Sequence, residues 1–174
     1  CANAGIYPLT WIKDITEKEW DEVININLKG PFLLLQSALN HFMQNKYGKV
    51  IFTSSITVTI VSASGHAHYA ATKSGLMGLV KTAAIELSQY NININAIVPG
   101  NVMSDGMKLE RGDEYIKSQS KSIPLGRLAS TDEIGKLVSF LASDEASYIT
   151  GQGITIDGGQ TIPENQDEVF HPKS

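Results

Sequence analysis

Tyr69 and Lys73 stand four residues apart in the stretch HYAATKSGL, a run made mostly of small side chains. On a helix, residues at i and i+4 share a face, with Cβ atoms roughly 5–6 Å apart. A free tyrosine ionises at about 10, and a positive neighbour favours its charged form. Such a neighbour moves the hydroxyl toward acid–base work near neutral pH. A tyrosine packing its ring beside a lysine that snorkels to water would show the same spacing, so the pair acquires meaning only from its company. Ser55 follows a short apolar, β-branched run whose end should face the start of this helix, so its hydroxyl can address the same substrate oxygen. Asn27 interrupts an otherwise well-patterned helix, where an amide is a poor choice unless it holds something.

The elements that must position these groups follow from pattern. Thr16 to Glu19 is a Thr-x-x-Glu capping box that opens a helix through EWDEVININL. After Gly30-Pro31, FLLLQSALNHFMQN continues the helical period. KVIFTS (49–54) reads as a buried strand, a helix follows over about 67–90, and INAIVP (94–99) is a second strand. Ser130 to Glu133 repeats the capping pattern ahead of IGKLVSFLAS, and GITIDGG (153–159) supplies a third strand with a Gly-Gly turn. Strands alternating with helices of this length imply an α/β fold, a doubly wound parallel sheet with helices on both faces. Ligands of such sheets sit outside the carboxyl ends of the strands. NAG (3–5), SS (54–55), PGNV (99–102) and DGG (157–159) all fall on that rim.

The chain has 174 residues, 42% of them hydrophobic and 18% charged, and no repeat or linker divides it. It reads as one globular domain, 1–174. A net charge of −4 and the lack of a basic run argue against a nucleic-acid surface. The apolar runs are too short for a membrane span, and no metal-ligand spacing is present. The single cysteine, Cys1, suits a reducing compartment, and the chain reads as cytoplasmic.

NAG, IN-LKG, SS, Y-AT-K and PGNVMS, with ITGQGITIDGG behind them, resemble the short-chain dehydrogenase/reductase family in its order and spacing. The overall pattern is most similar to bacterial 3-oxoacyl-acyl-carrier-protein reductases and related alcohol or polyol dehydrogenases. The resemblance implies a Rossmann-like fold, NAD or NADP as cofactor, and hydride transfer between nicotinamide and a carbonyl/alcohol substrate. It assigns Asn27, Ser55, Tyr69 and Lys73 to catalysis. Tyr69 is the general acid or base, Ser55 polarises the carbonyl, Lys73 bonds the nicotinamide ribose and lowers the Tyr69 pKa, and Asn27 holds a relay water. Asn3, Ala4 and Gly5 would line the adenosine side, and Pro99, Gly100 and Val102 the nicotinamide. Ser104 keeps a hydroxyl where the family commonly has Thr. Ser54 competes with Ser55, and the family motif favours Ser55, leaving Ser54 to bond backbone. His66 and His68 are expected as loop or substrate-rim residues.

The resemblance also implies a homodimer or homotetramer through helices 17–46 and 67–90, the latter carrying Ala71, Gly75, Gly78 and Thr82 on one flank. Residues 103–122 resemble the family's mobile substrate lid, and 163–174 form a tail. The family begins with a strand, a Gly-rich phosphate loop and further βα units ahead of NAG. The sequence therefore reads as the carboxyl-terminal two-thirds of the fold, cut in mid-domain, and this chain alone is expected to bind dinucleotide poorly. A non-catalytic relative that keeps the fold is the rival reading, and the presence of Ser, Tyr and Lys together speaks against it.

Overall fold

A computed structural model describes residues 1–163 and 169, without the side chains at 58, 59, 108, 110 and 111. Of the tail read at 163–174, all but 163 and 169 lie outside the described residues. Helix α1 (Glu17–Ile24) starts where Thr16 Oγ1 accepts the Glu19 N–H at 3.2 Å. It passes through a π-helical turn, Asn25–Lys29, into α2 (Gly30–Asn45). That widened turn ends just before Pro31, whose ring needs room at the carbonyl of Asn27 and offers it no N–H. Strand β1 (Gly48–Thr53), the short helix α3 (Ile56–Thr59), helix α4 (Ala67–Leu87) and strand β2 (Ile92–Pro99) follow. A small β3 (Val102–Met103), α5 (Asp105–Lys121), β4 (Ala129–Ser130), α6 (Thr131–Ala142) and β5 (Gly153–Ile156) complete the order.

β1, β2 and β5 form a parallel sheet with β2 in the middle, Phe52 opposite Ala96 and Val98 opposite Thr155. Ala2 adds a parallel bridge to Phe52 on the outer side of β1. Alternation along the strands divides the core. Phe52, Ile92, Ile94 and Ala96 pack with Leu35, Leu76 and Val80 from α2 and α4, whereas Ile51 and Ile97 pack with Leu141 from α6. Helices thus cover both faces of the parallel sheet, and burial of two apolar faces drives the layering. The buried Asn95 on β2 is satisfied by loop backbone, donating to Ile149 O at 2.7 Å and accepting from Gln152 N at 3.1 Å.

The capping box at Ser130 is complete: each partner's side chain bonds the other's backbone, and Arg127 clasps Glu133 at 2.7 and 2.8 Å. That pairing holds the Glu133 carboxyl down at about 2. The box at Thr16 is only half made, because the Glu19 carboxylate turns away to His68. The segment 103–122, read as a mobile lid, is helical over Asp105–Lys121. Ser104 caps α5 by accepting the Met107 N–H, and Gly112 breaks the helix with φ 73° and ψ 171°. Its polar, glycine-containing composition concealed the helix. Among the described residues no helix is long and apolar enough to cross a membrane, and no group of three or more His, Cys, Asp or Glu is placed to hold a metal.

Candidate active site

Tyr69 is the third residue of α4, and Lys73 lies one turn further along the same face. The Lys73 ammonium is 5.5 Å from the centroid of the Tyr69 ring and donates to the Thr53 carbonyl at 2.6 Å. Burial pushes its pKa down to about 8. Ser55 caps α3 by accepting the Thr57 N–H at 3.1 Å, and it hydrogen-bonds the Tyr69 hydroxyl. Ser54 is buried and donates to the Lys73 carbonyl, in keeping with a backbone-binding role.

The expected lowering of the Tyr69 pKa is not found. Burial, the largest influence, raises it, the Ser55 hydrogen bond works against the rise, and nearby Tyr7 adds to it. The physical reason is that Lys73 is itself desolvated and directs its short hydrogen bond at Thr53, so withdrawal from water dominates at the phenol.

Asn27 is fully buried in the π-helical turn. Its amide donates to Ile6 O at 2.7 Å and accepts from Ile6 N at 2.8 Å, which fixes the chain just after NAG. Asn3, Ala4 and Gly5 are exposed beside the outer edge of β1. A Cβ at Gly5 would lie 3.3 Å from Asn27 Oδ1 and 3.8 Å from Lys73 Nζ. A side chain there would crowd the Asn27 amide and abut the ammonium. Pro99 ends β2, and a Cβ on Gly100 would sit 2.7 Å from Gln160 Oε1 and 2.8 Å from Asp157 Cβ.

A cavity of about 450 Å³ opens over this cluster and is lined by Ser55, Tyr69, Gly100, Val102 and Ser104 among the expected residues. It also takes residues that sequence reasoning missed: Tyr7, Asn101, Met107, Tyr115, Gln119 and Gln160. Tyr7 meets Tyr69 edge-on, ring centroids 6.4 Å apart. Gln160 Oε1 accepts the Asn101 N–H at 3.1 Å, and the Asn101 amide donates to Gln119 Oε1 at 2.8 Å. Asn101 and Gln160 sat within or just after the PGNV and DGG stretches, so position on the strand-end rim was the available signal. Nothing local marked Tyr7 or Gln119.

His66 lines the cavity as expected, its ring 6.2 Å from that of Tyr69. His68 does not. It is fully buried inside the first turn of α4, its Nε2 2.9 Å from Glu19 Oε1. Gly75, read as part of an association flank, faces its own chain, where a Cβ would come within 3.0 Å of Leu28.

A family model described as Enoyl-(Acyl carrier protein) reductase matches residues 1–161. The chain is 43% identical over 157 residues to the 3-oxoacyl-acyl-carrier-protein reductase FabG of Staphylococcus aureus (strain N315), covering 90% of this chain and 63% of that protein. It is 38% identical over 170 residues to the oxidoreductase UcpA of Salmonella typhimurium, covering 94% and 65%. A solved 3-oxoacyl-acyl-carrier-protein reductase from Brucella melitensis superposes with a TM-score of 0.87 at 31% identity, over 92% of this chain and 62% of that one. The chain thus spans slightly under two thirds of the length of these relatives. With the ordered strand-end motifs, the parallel sheet and this match, the chain belongs to the short-chain dehydrogenase/reductase family of oxidoreductases.

Proposed function

We propose that the protein is an NAD- or NADP-dependent oxidoreductase that interconverts a carbonyl and an alcohol, with 3-oxoacyl thioesters as the leading substrate class. The observation that carries this reading is the Tyr69 hydroxyl, bonded to Ser55 at the wall of a cavity, with the Lys73 ammonium one turn behind it. In the reducing direction Tyr69 donates its proton to the oxygen of the substrate carbonyl, and Ser55 bonds the same oxygen and polarises it. Lys73, held at about 8, is an ammonium at neutral pH and steadies the negative charge left on Tyr69. Asn27 and the widened turn around it hold a water that returns a proton toward Lys73.

The bare backbone at Gly5, exposed beside the Lys73 ammonium, fits a dinucleotide lying along the strand ends. Asn3, Ala4 and Gly5 would take its adenosine side, Lys73 the ribose, and Pro99, Gly100, Val102 and Ser104 the nicotinamide end. When bound, the nicotinamide supplies the hydride. Helix α5, hinged at Gly112, would close over the substrate as a lid. We place the protein in the cytoplasm and pair copies through α1–α2 and α4. There an apolar groove lined by Phe32, Leu35, Leu39 and Leu79 lies at the surface.

A sugar or polyol substrate is the second reading, favoured by the amides of Asn101, Gln119 and Gln160 and the hydroxyl of Tyr115 around the cavity. The deciding experiment assays acetoacetyl thioesters and polyols with both cofactors. It uses a version of the protein that spans the full length of the relatives it matches. Turnover that disappears in Tyr69→Phe supports the proposal, and full activity in that variant ends it.

A further inference from the structure

His68 sits beside the proposed acid–base residue yet faces away from the cavity, and neither of its nitrogens is idle. The Tyr69 N–H donates to Nδ1 at 2.9 Å, so Nδ1 carries a lone pair, and Nε2–H is left to donate to Glu19 Oε1 at 2.9 Å. The ring is fully buried. A buried imidazole with both nitrogens matched is a constrained object, because rotating or displacing it strands two polar groups away from water.

The setting explains what the ring replaces. The first N–H groups of a helix lack intrahelical partners and usually rely on the N-cap side chain. His66 at the N-cap of α4 provides no such bond. The Tyr69 N–H, one of those orphans, is taken instead by His68. The other end of the bridge is equally specific. Glu19 gives up its half of the α1 capping box to receive His68, and its carboxyl is held below its usual range first by a hydrogen bond from Thr10 and then by His68. The Thr10 N–H donates in turn to Gly65 O at 2.9 Å, just ahead of α4. Loop, α1 and the first turn of α4 therefore converge on one imidazole.

We propose that His68 is a positioning residue for Tyr69. It fastens the helix end that carries the phenol to α1 through Glu19, and so sets where the phenolic oxygen stands against Ser55. The inference rests on the acid–base reading of Tyr69 given above. Helix ends are the natural place for fraying, and a displacement of about 1 Å at a reacting group can lower a rate by as much as about a hundredfold.

The test follows the ¹³Cζ titration of Tyr69 in the purified protein and, where turnover is found, kcat and KM. His68→Phe keeps the ring volume and removes both hydrogen bonds. The Tyr69 titration should move down toward that of free tyrosine as the turn loosens and water enters, and kcat should fall by about tenfold or more with KM nearly unchanged. His68→Asn retains an acceptor at the δ position and His68→Gln a donor at the ε position, so each should recover part of the loss. Glu19→Ala breaks the outer link, together with the Thr10 hydrogen bond to Glu19, and should shift Tyr69 the same way by less. An unaltered Tyr69 titration in a folded His68→Phe protein overturns the proposal. If His68→Phe does not fold, an unaltered titration in Glu19→Ala does so. ¹⁵N imidazole signals showing a hydrogen on Nδ1 in the wild-type protein also overturn it. Absence of turnover on any carbonyl or alcohol in a version spanning the full length of the relatives would defeat the functional reading, while the Tyr69 titration of the purified protein still decides the role of His68.

Discussion

The Lys73 ammonium donates to the carbonyl of Thr53 at 2.6 Å, joining the middle of α4 to the last residue of β1 beneath the Tyr69 ring. Lys73 is 4% exposed, and burial holds its pKa at about 8 against an ordinary 10.5. Between those values the unfolded chain carries a proton that the native chain has released, so raising the pH favours the native state. Stability should therefore climb from pH 8 toward 10.5, by at most about 3 kcal/mol. Lys73→Met should lack that climb. Urea midpoints for both proteins over this range check it, and parallel curves would mean that Lys73 is not desolvated as described.

Ser55 and Burial act on Tyr69 with opposite signs, which separates them experimentally. Tyr69 should titrate above free tyrosine in the ligand-free protein. Ser55→Ala removes a hydrogen bond that lowers its pKa, so the titration should move higher still. Tyr69→Phe should reduce turnover by about 10²- to 10⁴-fold, the usual contribution of a positioned acid or base. A Tyr69 signal that ionises below pH 10 in the free protein would restore the sequence expectation of a depressed phenol.

Why that expectation failed shows what a sequence can carry. The i, i+4 spacing of Tyr69 and Lys73 fixes a shared helix face, and the strand-end motifs fix a shared rim, because both follow from local periodicity. Helices on both faces of a parallel sheet were legible for the same reason. Dielectric environment is not local: the groups against Tyr69 include Tyr7, from the loop ahead of α1. His68 looked like a rim residue because its partner Glu19 is 49 positions away and already had an apparent task in a capping box. Gln119 and Tyr115 reach the cavity only because 105–121 is helical, which its polar composition hid.

Gly100 and Gly78 should respond in opposite directions to alanine. A Cβ at Gly100 would come within 2.8 Å of Asp157 Cβ and 2.7 Å of Gln160 Oε1, so Gly100→Ala should destabilise by about 1–3 kcal/mol and distort the cavity wall. At Gly78, inside α4, nothing among the described residues beyond the helix's own backbone lies within 4 Å of the added Cβ. Gly78→Ala should then stabilise by about 0.5–1 kcal/mol, since glycine in a helix interior is the costlier residue. Thermal and urea unfolding of the two variants would settle both signs. A loss of stability or of association in Gly78→Ala would instead mean that a second copy packs against this flank.

Asn27 offers the sharpest test of how the cofactor edge is held. Its two bonds to Ile6 are the structure's hold on the chain just after Gly5, and the residue is fully buried. Asn27→Ala leaves the Ile6 N–H and C=O without those partners and should cost about 2–4 kcal/mol. Asn27→Asp keeps the acceptor for the Ile6 N–H but sets a carboxylate oxygen against the Ile6 carbonyl, so it too should destabilise above the acid range. The position of a Cβ on Gly5 lies within 4 Å of both Asn27 Oδ1 and Lys73 Nζ, so the new carboxylate would stand near the ammonium. An opposite charge favours the charged form, and Lys73 should return from about 8 toward its ordinary 10.5. The alkaline rise in stability seen in the wild-type protein should shrink accordingly. Wild-type urea midpoints in both variants, with an unmoved Lys73, would show that Asn27 does not anchor this edge.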